Sequence, residues 1–296
     1  MNSSSYAIET SGLTKLYGKK RAVDYLKLQV PKGSVFAFLG RNGAGKTTTI
    51  RMLLNLLDRT SGEASVLGLD PARSDIEIKR RVGYVAEGQK MYDWMTVSQI
   101  AWFCSGFYPT WDDAYATELI KQLELSPNAK LKNLSRGTQA KVALMLAMAY
   151  RPELLILDEP TAGLDVVVRR DFLEGVIDLI QQEGRTVFFS SHLVHEVERV
   201  ADWVGIIDGG KLIVCKPLEE LKASVKRICL TFEDAPPKLD LDGLLCTETA
   251  GRQTRLTVNG FSENTLDQLK RYNPRSVDVE DLPLEDIFVA FVGEKE

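Results

Sequence analysis

The stretch Gly40-Arg41-Asn42-Gly43-Ala44-Gly45-Lys46-Thr47 sets glycines, a lysine and a hydroxyl at the spacing G-x-x-x-x-G-K-[ST], that of a phosphate-binding loop. Glycine lets the backbone bend so that successive N–H groups point at phosphate oxygens. Lys46 would reach the β- and γ-phosphates of a nucleotide, and the Thr47 hydroxyl would bind Mg²⁺. Gly40, Asn42, Gly43, Gly45, Lys46, Thr47 and Thr48 form the expected nucleotide-contacting set. A second cluster closes the run Leu154-Leu155-Ile156-Leu157 with Asp158, Glu159 and Pro160. Alone, an acidic pair at a strand end is as readily a solvated surface feature. Beside a phosphate loop, Asp158 would hold Mg²⁺, directly or through water, and Glu159 would orient and deprotonate an attacking water.

These residues need a scaffold that brings distant segments together. Ser34 to Leu39 is a short apolar run that reads as a buried strand, and residues from Thr47 to Leu54 carry apolar side chains at helical spacing. The order strand, glycine loop, helix is the one the motif needs, with the helix N-terminus adding donors and a favourable dipole. Residues 6–30 read as antiparallel strands, with alternation running from Val23 to Val30. Further strands are expected at 63–67, 82–85, 154–157 and 186–190. From about Thr96 to Arg151 the pattern is helical, with Trp102, Phe103, Phe107 and Trp111 as apolar bulk. A helix is expected from Val166 to Gln182, and Asp208-Gly209-Gly210 between apolar runs signals a hairpin. The character changes after Pro217, where short helices and strands alternate around Pro236-Pro237. The reading is an α/β nucleotide-binding core over residues 1–216, with a helical subdomain over about 91–151, and a small α+β accessory domain over 217–296.

Composition bounds the partners. The formal net charge of −4 is uneven: residues 217–296 hold 16 acidic and 10 basic side chains, against 25 and 27 before them. An acidic tail does not favour contacts with a nucleic-acid backbone, so no nucleic acid is expected. The longest apolar run, Val142 to Tyr150, is far short of the roughly 20 residues a membrane span needs. Residues 1–5 lack the basic and apolar regions of a secretory signal. A soluble, cytosolic chain is expected, with any membrane role requiring another subunit. Cys104, Cys215, Cys229 and Cys246 form no C-x-x-C pair, so buried reduced thiols are the default.

In this order the motifs resemble those of the ATPase subunits of the ATP-binding cassette (ABC) superfamily, over about residues 6–215. The resemblance implies a RecA-like sheet with an antiparallel β subdomain and a helical subdomain, and ATP hydrolysis with Mg²⁺. Tyr17, in Leu13-Thr14-Lys15-Leu16-Tyr17-Gly18, corresponds to the aromatic that stacks on adenine; a half-buried strand tyrosine is the other reading. Leu134-Ser135-Arg136-Gly137-Thr138-Gln139 is similar to the family signature, with Arg136 and Thr138 replacing a usual glycine and glutamine. Thr161-Ala162-Gly163-Leu164-Asp165 matches the loop that touches a partner subunit, and Ser190-Ser191-His192 matches the switch-histidine motif. His195 receives no role. In this family the signature of one chain, here Ser135 and Gly137, covers the nucleotide held by another chain's P-loop. A second ABC ATPase subunit is therefore implied, in a homodimer or a heterodimer.

Where the family usually has a glutamine after Gly83-Tyr84-Val85-Ala86, this chain has Glu87, a carboxylate that would bind metal and repel phosphate, with Gln89 a register-shifted candidate. Arg136 either points to solvent or adds positive charge to an interface. Met91 to Met95 either offers exposed Met, Tyr and Trp to a helix of an integral membrane permease or packs into the helical subdomain. The subfamily that the chain most resembles is the ABC-2 type exporter ATPase, on the segment Gly83 to Val97 and on the tail Leu282-Pro283-Leu284-Glu285-Asp286-Ile287-Phe288. That places it on the inner face of the cell membrane, held there by the permease. The competing readings are a soluble ABC ATPase acting on a ribosome or nucleic-acid complex, and a non-transport regulatory ATPase.

Overall fold

The computed structural model describes residues 5–165, 169, 172, 173, 175, 177 and 184–293. The chain divides into two compact units, residues 1–215 and 216–296.

In the first unit, β1 (Tyr6–Tyr17), β2 (Lys20–Leu26), β3 (Gln29–Pro31) and β5 (Ser61–Val66) build an antiparallel sheet in which β1 pairs with the other three. A six-stranded sheet runs in the order β10-β9-β4-β8-β7-β6, from β4 (Val35–Leu39), β6 (Val82–Val85), β7 (Leu154–Asp158), β8 (Thr186–Ser191), β9 (Trp203–Asp208) and β10 (Lys211–Pro217). All five residues of β4 and of β7, and all six of β8, are buried. Continuous apolar runs suit parallel strands covered on both faces, and β4, β6, β7, β8 and β9 pair in parallel. Phe188 locks the centre, its ring 5.6 Å from that of Phe36 and 5.4 Å from that of Phe38.

Register brings the chemistry together. Asp158 on β7 lies opposite Ser190 on β8, and Ser191 lies opposite Leu39 at the end of β4. Gly40 N–H donates to the Ser191 carbonyl at 3.3 Å. The carboxyl ends of three adjacent strands thus carry the glycine loop, the acidic pair and the serine–histidine segment, at the edge where open parallel sheets bind ligands. The loop passes directly into α1 (Lys46–Leu53).

Between β6 and β7 the chain forms the helical part. After α2 (Asp75–Arg81) and β6 come α3 (Val97–Ser105), α4 (Asp113–Gln122) and α5 (Arg136–Met148). Each of the last three starts at a side-chain cap: a Thr96/Gln99 capping box, Asp112, and Ser135. α5 is buried from Val142 to Met148 and packs on α3 and α4. After β8 a short helix, α6 (Val194–Val197), follows His192.

The second unit starts with α7 (Leu218–Ser224), followed by β11 (Val225–Thr231), β12 (Leu244–Ala250), β13 (Gln253–Asn259), α8 (Glu263–Lys270), β14 (Ser276–Asp281) and α9 (Leu284–Val292). Its antiparallel sheet has the order β12-β13-β11-β14. Ile228, Leu230, Phe232, Leu256, Val258 and Leu269 form its apolar core, each such burial stabilising by about 1.5–3 kcal/mol.

Three expectations change. The alternation from Val23 to Val30 is not one strand: Tyr25 sits at φ 51°, in the left-handed region, so β2 ends at Leu26 and pairing resumes only at Gln29. Trp102 and Phe107 are exposed, not core, because α3 buries Val97 and Ile100 on its inner face. None of the four cysteines is fully buried, and Cys246 is exposed. Most of the segment expected to be helical over 166–182 lies outside the described residues; Phe172, Leu173 and Ile177 within it are buried.

Candidate functional site

The glycine loop is shaped by close approach. A Cβ on Gly45, which has φ 112°, would lie 2.5 Å from the Ala22 carbonyl oxygen, and one on Gly40 would lie 2.5 Å from that of Ile207. Only glycine fits either place. Gly45 caps α1, whose first N–H groups open toward the loop. Lys46 folds back over the loop and donates to the Gly40 carbonyl at 2.7 Å. Its Nζ also lies 3.0 Å from Glu159 Oε1, and both side chains are buried.

Glu159 is doubly engaged, since its Oε2 lies 2.8 Å from His192 Nδ1. A buried lysine, carboxylate and half-exposed imidazole therefore form one chain. Glu159 also has φ 48°, a conformation costing a non-glycine residue about 1–3 kcal/mol. Its N–H donates to Ser190 Oγ at 3.0 Å, which fixes the turn. Asp158 accepts from Ser190 Oγ at 2.7 Å and from Thr47 Oγ1 at 3.1 Å. Burial pushes the Asp158 carboxyl above the usual carboxylate range, against the pull of those two hydroxyls. Buried charges cost several kcal/mol each, so their concentration at this strand edge marks a candidate functional site.

Lys46, Thr47, Asp158, Glu159 and His192 are thus brought into contact. Other expected site residues stand apart. The Tyr17 ring is 51% exposed at the end of β1, with Lys15 Nζ 5.3 Å from its centroid. Ser135 is exposed and caps α5, accepting the Thr138 N–H at 3.2 Å, while Gly137 is buried. Among the described residues its hydrogen bonds stay within its own helix start. Glu87 is exposed. Gln89, not Glu87, lines a cavity of about 620 Å³ shared with Lys90, Arg136, Gln139, Glu159 and Ala162. Arg136 leans on the 161–165 turn, where a Cβ at Gly163 would come within 3.0 Å of its Nη1. Beyond this cavity, Tyr92 and Trp94 are exposed, and the rings of Trp94, Tyr92, Phe103 and Phe107 follow one another at 6.1, 5.6 and 5.2 Å. Met95 is buried.

Sequence reading missed Ser190 as the hydroxyl linking Asp158 to Glu159, although it sits in the quoted Ser190-Ser191-His192 motif. It also missed Thr161, Arg169 and Glu196, which meet behind the site. The available signal was Glu196, an acidic residue in the short segment that follows His192.

The residues present fit a nucleotide triphosphate with a divalent cation. Among the described residues no group of three or more His, Cys, Asp or Glu side chains forms a metal cage. A hydroxyl beside one carboxylate, Thr47 and Asp158, would instead suit an Mg²⁺ bound together with a phosphate.

The sequence profile described as ABC transporter matches residues 23–162. The bacitracin transport ATP-binding protein BcrA of Bacillus licheniformis is 33% identical, over 98% of each chain. The daunorubicin/doxorubicin resistance ATP-binding protein DrrA of Streptomyces peucetius is 34% identical, over 91% of this chain and 82% of its own. Among solved structures, a dimeric ATP-binding cassette in a post-hydrolysis state with ADP and phosphate has the same fold, with a TM-score of 0.63 at 22% identity over 71% of this chain and 98% of that one.

Proposed function

The chain belongs to the ATP-binding proteins of ABC transporters, and we propose that it drives export through a separate membrane permease, using Lys46, Asp158, Glu159 and His192 for hydrolysis. It binds and hydrolyses ATP. The observation that carries the assignment of roles is the buried contact chain Lys46–Glu159–His192 beside the Thr47–Asp158 pair.

In this reading the loop N–H groups from Gly40 to Thr48 receive the phosphates. Lys46 leaves Glu159 and neutralises the β- and γ-phosphate charge. Thr47 and Asp158 hold Mg²⁺, which when bound polarises the phosphoryl oxygens and offsets their charge. Glu159, freed from the ammonium, takes the proton of the attacking water, while His192 keeps its carboxylate aimed and contacts the γ-phosphate. Tyr17 offers its exposed ring to adenine. Ser135 and Gly137, at the start of α5, serve the nucleotide of a second cassette. Glu87 tunes the need for Mg²⁺.

The aromatic row from Trp94 to Phe107, exposed at Trp94, Tyr92 and Phe107, supports a helical partner, since exposed aromatic clusters mark interaction surfaces. Among the described residues no helix is long and apolar enough to cross a membrane. The chain would therefore sit at the inner membrane face through the permease, with residues 217–296 as an accessory domain. The relatives named for bacitracin transport and for daunorubicin/doxorubicin resistance support the export direction.

The test is Glu159→Gln. This variant should retain ATP binding, lose about 10²–10⁴-fold in kcat, and elute as a dimer in the presence of ATP. Hydrolysis at the wild-type rate would remove Glu159 from its role. Co-purification of the wild-type chain with ribosomes, and not with a membrane-spanning subunit, would overturn the transport reading.

A further inference from the structure

A second group of buried polar side chains lies behind the reacting centre. Glu196, on α6, accepts from Thr161 Oγ1 at 3.1 Å. Its other oxygen lies 3.3 Å from Arg169 Nε, with both side chains largely buried. Arg169 Nη2 donates to the Leu164 carbonyl at 2.9 Å. One carboxylate thus grips the 161–164 segment at two points, directly at Thr161 and through Arg169 at Leu164.

That segment continues from Glu159. Ala162 N–H donates to the Glu159 carbonyl at 3.0 Å, and Leu164 N–H to that of Thr161 at 3.1 Å. Glu196 is also tied to the residues that flank His192: its N–H donates to Leu193 O at 3.3 Å, and Leu193 N–H donates to Ser191 Oγ at 3.0 Å. The carboxylate therefore spans the two segments whose ends must hold Glu159 Oε2 2.8 Å from His192 Nδ1.

Stability does not account for the pair. Replacing a buried ion pair with well-packed apolar groups is commonly neutral or favourable. Among the described residues, Arg169 Nε and Glu196 Oε1 have no aligned hydrogen-bond partner. Burial also pushes the Glu196 carboxyl above its usual range, only partly opposed by Thr161 and Arg169.

We propose that Glu196, braced by Arg169, is a positioning residue: it sets the Glu159–His192 geometry and the placement of the 161–165 turn. The inference rests on Glu159 acting as the base. A misplacement of about 1 Å at a reacting group costs about 10²-fold, whereas the phosphate loop takes no part in the brace.

The experiment measures kcat, KM and ATP affinity for the full chain carrying Glu196→Gln, Arg169→Met, both together, and Arg169→Lys, with Glu159→Gln alongside. Glu196→Gln should lower kcat at least tenfold and leave ATP affinity within about twofold of wild type. The double variant should be no worse than the poorer single one, because both changes break one brace. Arg169→Lys keeps the charge and should recover part of the loss; if Glu196→Gln does not fold, this comparison with Arg169→Met decides. Wild-type kcat in Glu196→Gln, losses that multiply in the double variant, no difference between Arg169→Lys and Arg169→Met, or a parallel loss of ATP affinity would each overturn the proposal. If Glu159→Gln itself hydrolyses ATP normally, the underlying assignment of the base fails instead, whatever Glu196→Gln does.

Discussion

The two sheets treat charge in opposite ways. In the six-stranded sheet of the first unit, strand tips end in buried polar groups, and Lys46, Asp158, Glu159, Ser190 and Glu196 are all shielded from solvent. In the four-stranded sheet of the second unit the core is apolar, from Ile228 to Leu269, and the acidic residues of β14, Asp278, Glu280 and Asp281, are exposed. A fold seeking only stability puts its charges outside, because burying them costs free energy. The first sheet accepts that cost at one edge, where the proposed hydrolysis needs charge in a dry place. Among the described residues the second has no charged side chain in the fully buried class, which is the pattern of a supporting element.

Four substitutions probe the contrast. The largest effect is that of Glu159→Gln, with kcat down about 10²–10⁴-fold; a milder loss would mean that the buried charge of the first sheet is structural. Leu256→Ala, in the apolar core of the second, should cost about 2–5 kcal/mol in denaturant unfolding of that unit. It should leave kcat per folded chain unchanged, and a fall in kcat would erase the division of labour. Glu87→Gln should lower the Mg²⁺ concentration for half-maximal activity several-fold, since a carboxylate near phosphate repels it. No change there, with a shift in Gln89→Glu instead, would assign the role to the residue that lines the cavity. The smallest effect is expected in the thermal stability of the nucleotide-free chain carrying Asp158→Asn. Because burial raises the Asp158 carboxyl, the folded chain retains a proton that the unfolded chain has released, so stability falls as pH rises through that interval. Asparagine removes this loss and still accepts from Ser190 and Thr47. Without nucleotide, Tm near pH 7 should rise by about 2–4 °C, the response to about 1 kcal/mol. The gain should vanish below about pH 4, where aspartate is protonated in both states. A lower Tm near pH 7 would mean that the ionised form is the stabilised one.

What was legible in the sequence was what is local. Gly40 to Thr47 and Leu154 to Glu159 announce themselves because each motif is contiguous and the strand that presents it adjoins it. The Thr161–Arg169–Glu196 brace is built from residues that, one by one, read as ordinary surface polar groups; only the alignment of β7 with β8 buries them together. The aromatic residues of α3 misled for a different reason. Apolar bulk at helical spacing indicates one sticky face but not whether the chain itself covers it, and here Val97 and Ile100 had taken the inner side. Tyr25 shows the limit of alternation, which cannot foresee a single left-handed residue that resets the phase.

The fold-back of Lys46 onto Gly40 and Glu159 gives its ammonium an internal counter-anion. Under the role proposed for Lys46, nucleotide entry is an exchange, one anion displacing another from a single ammonium, and the measured affinity is the difference between the two. Because the proposed base is that same anion, one ion pair couples the group that would bind phosphate to the group that would accept the water's proton.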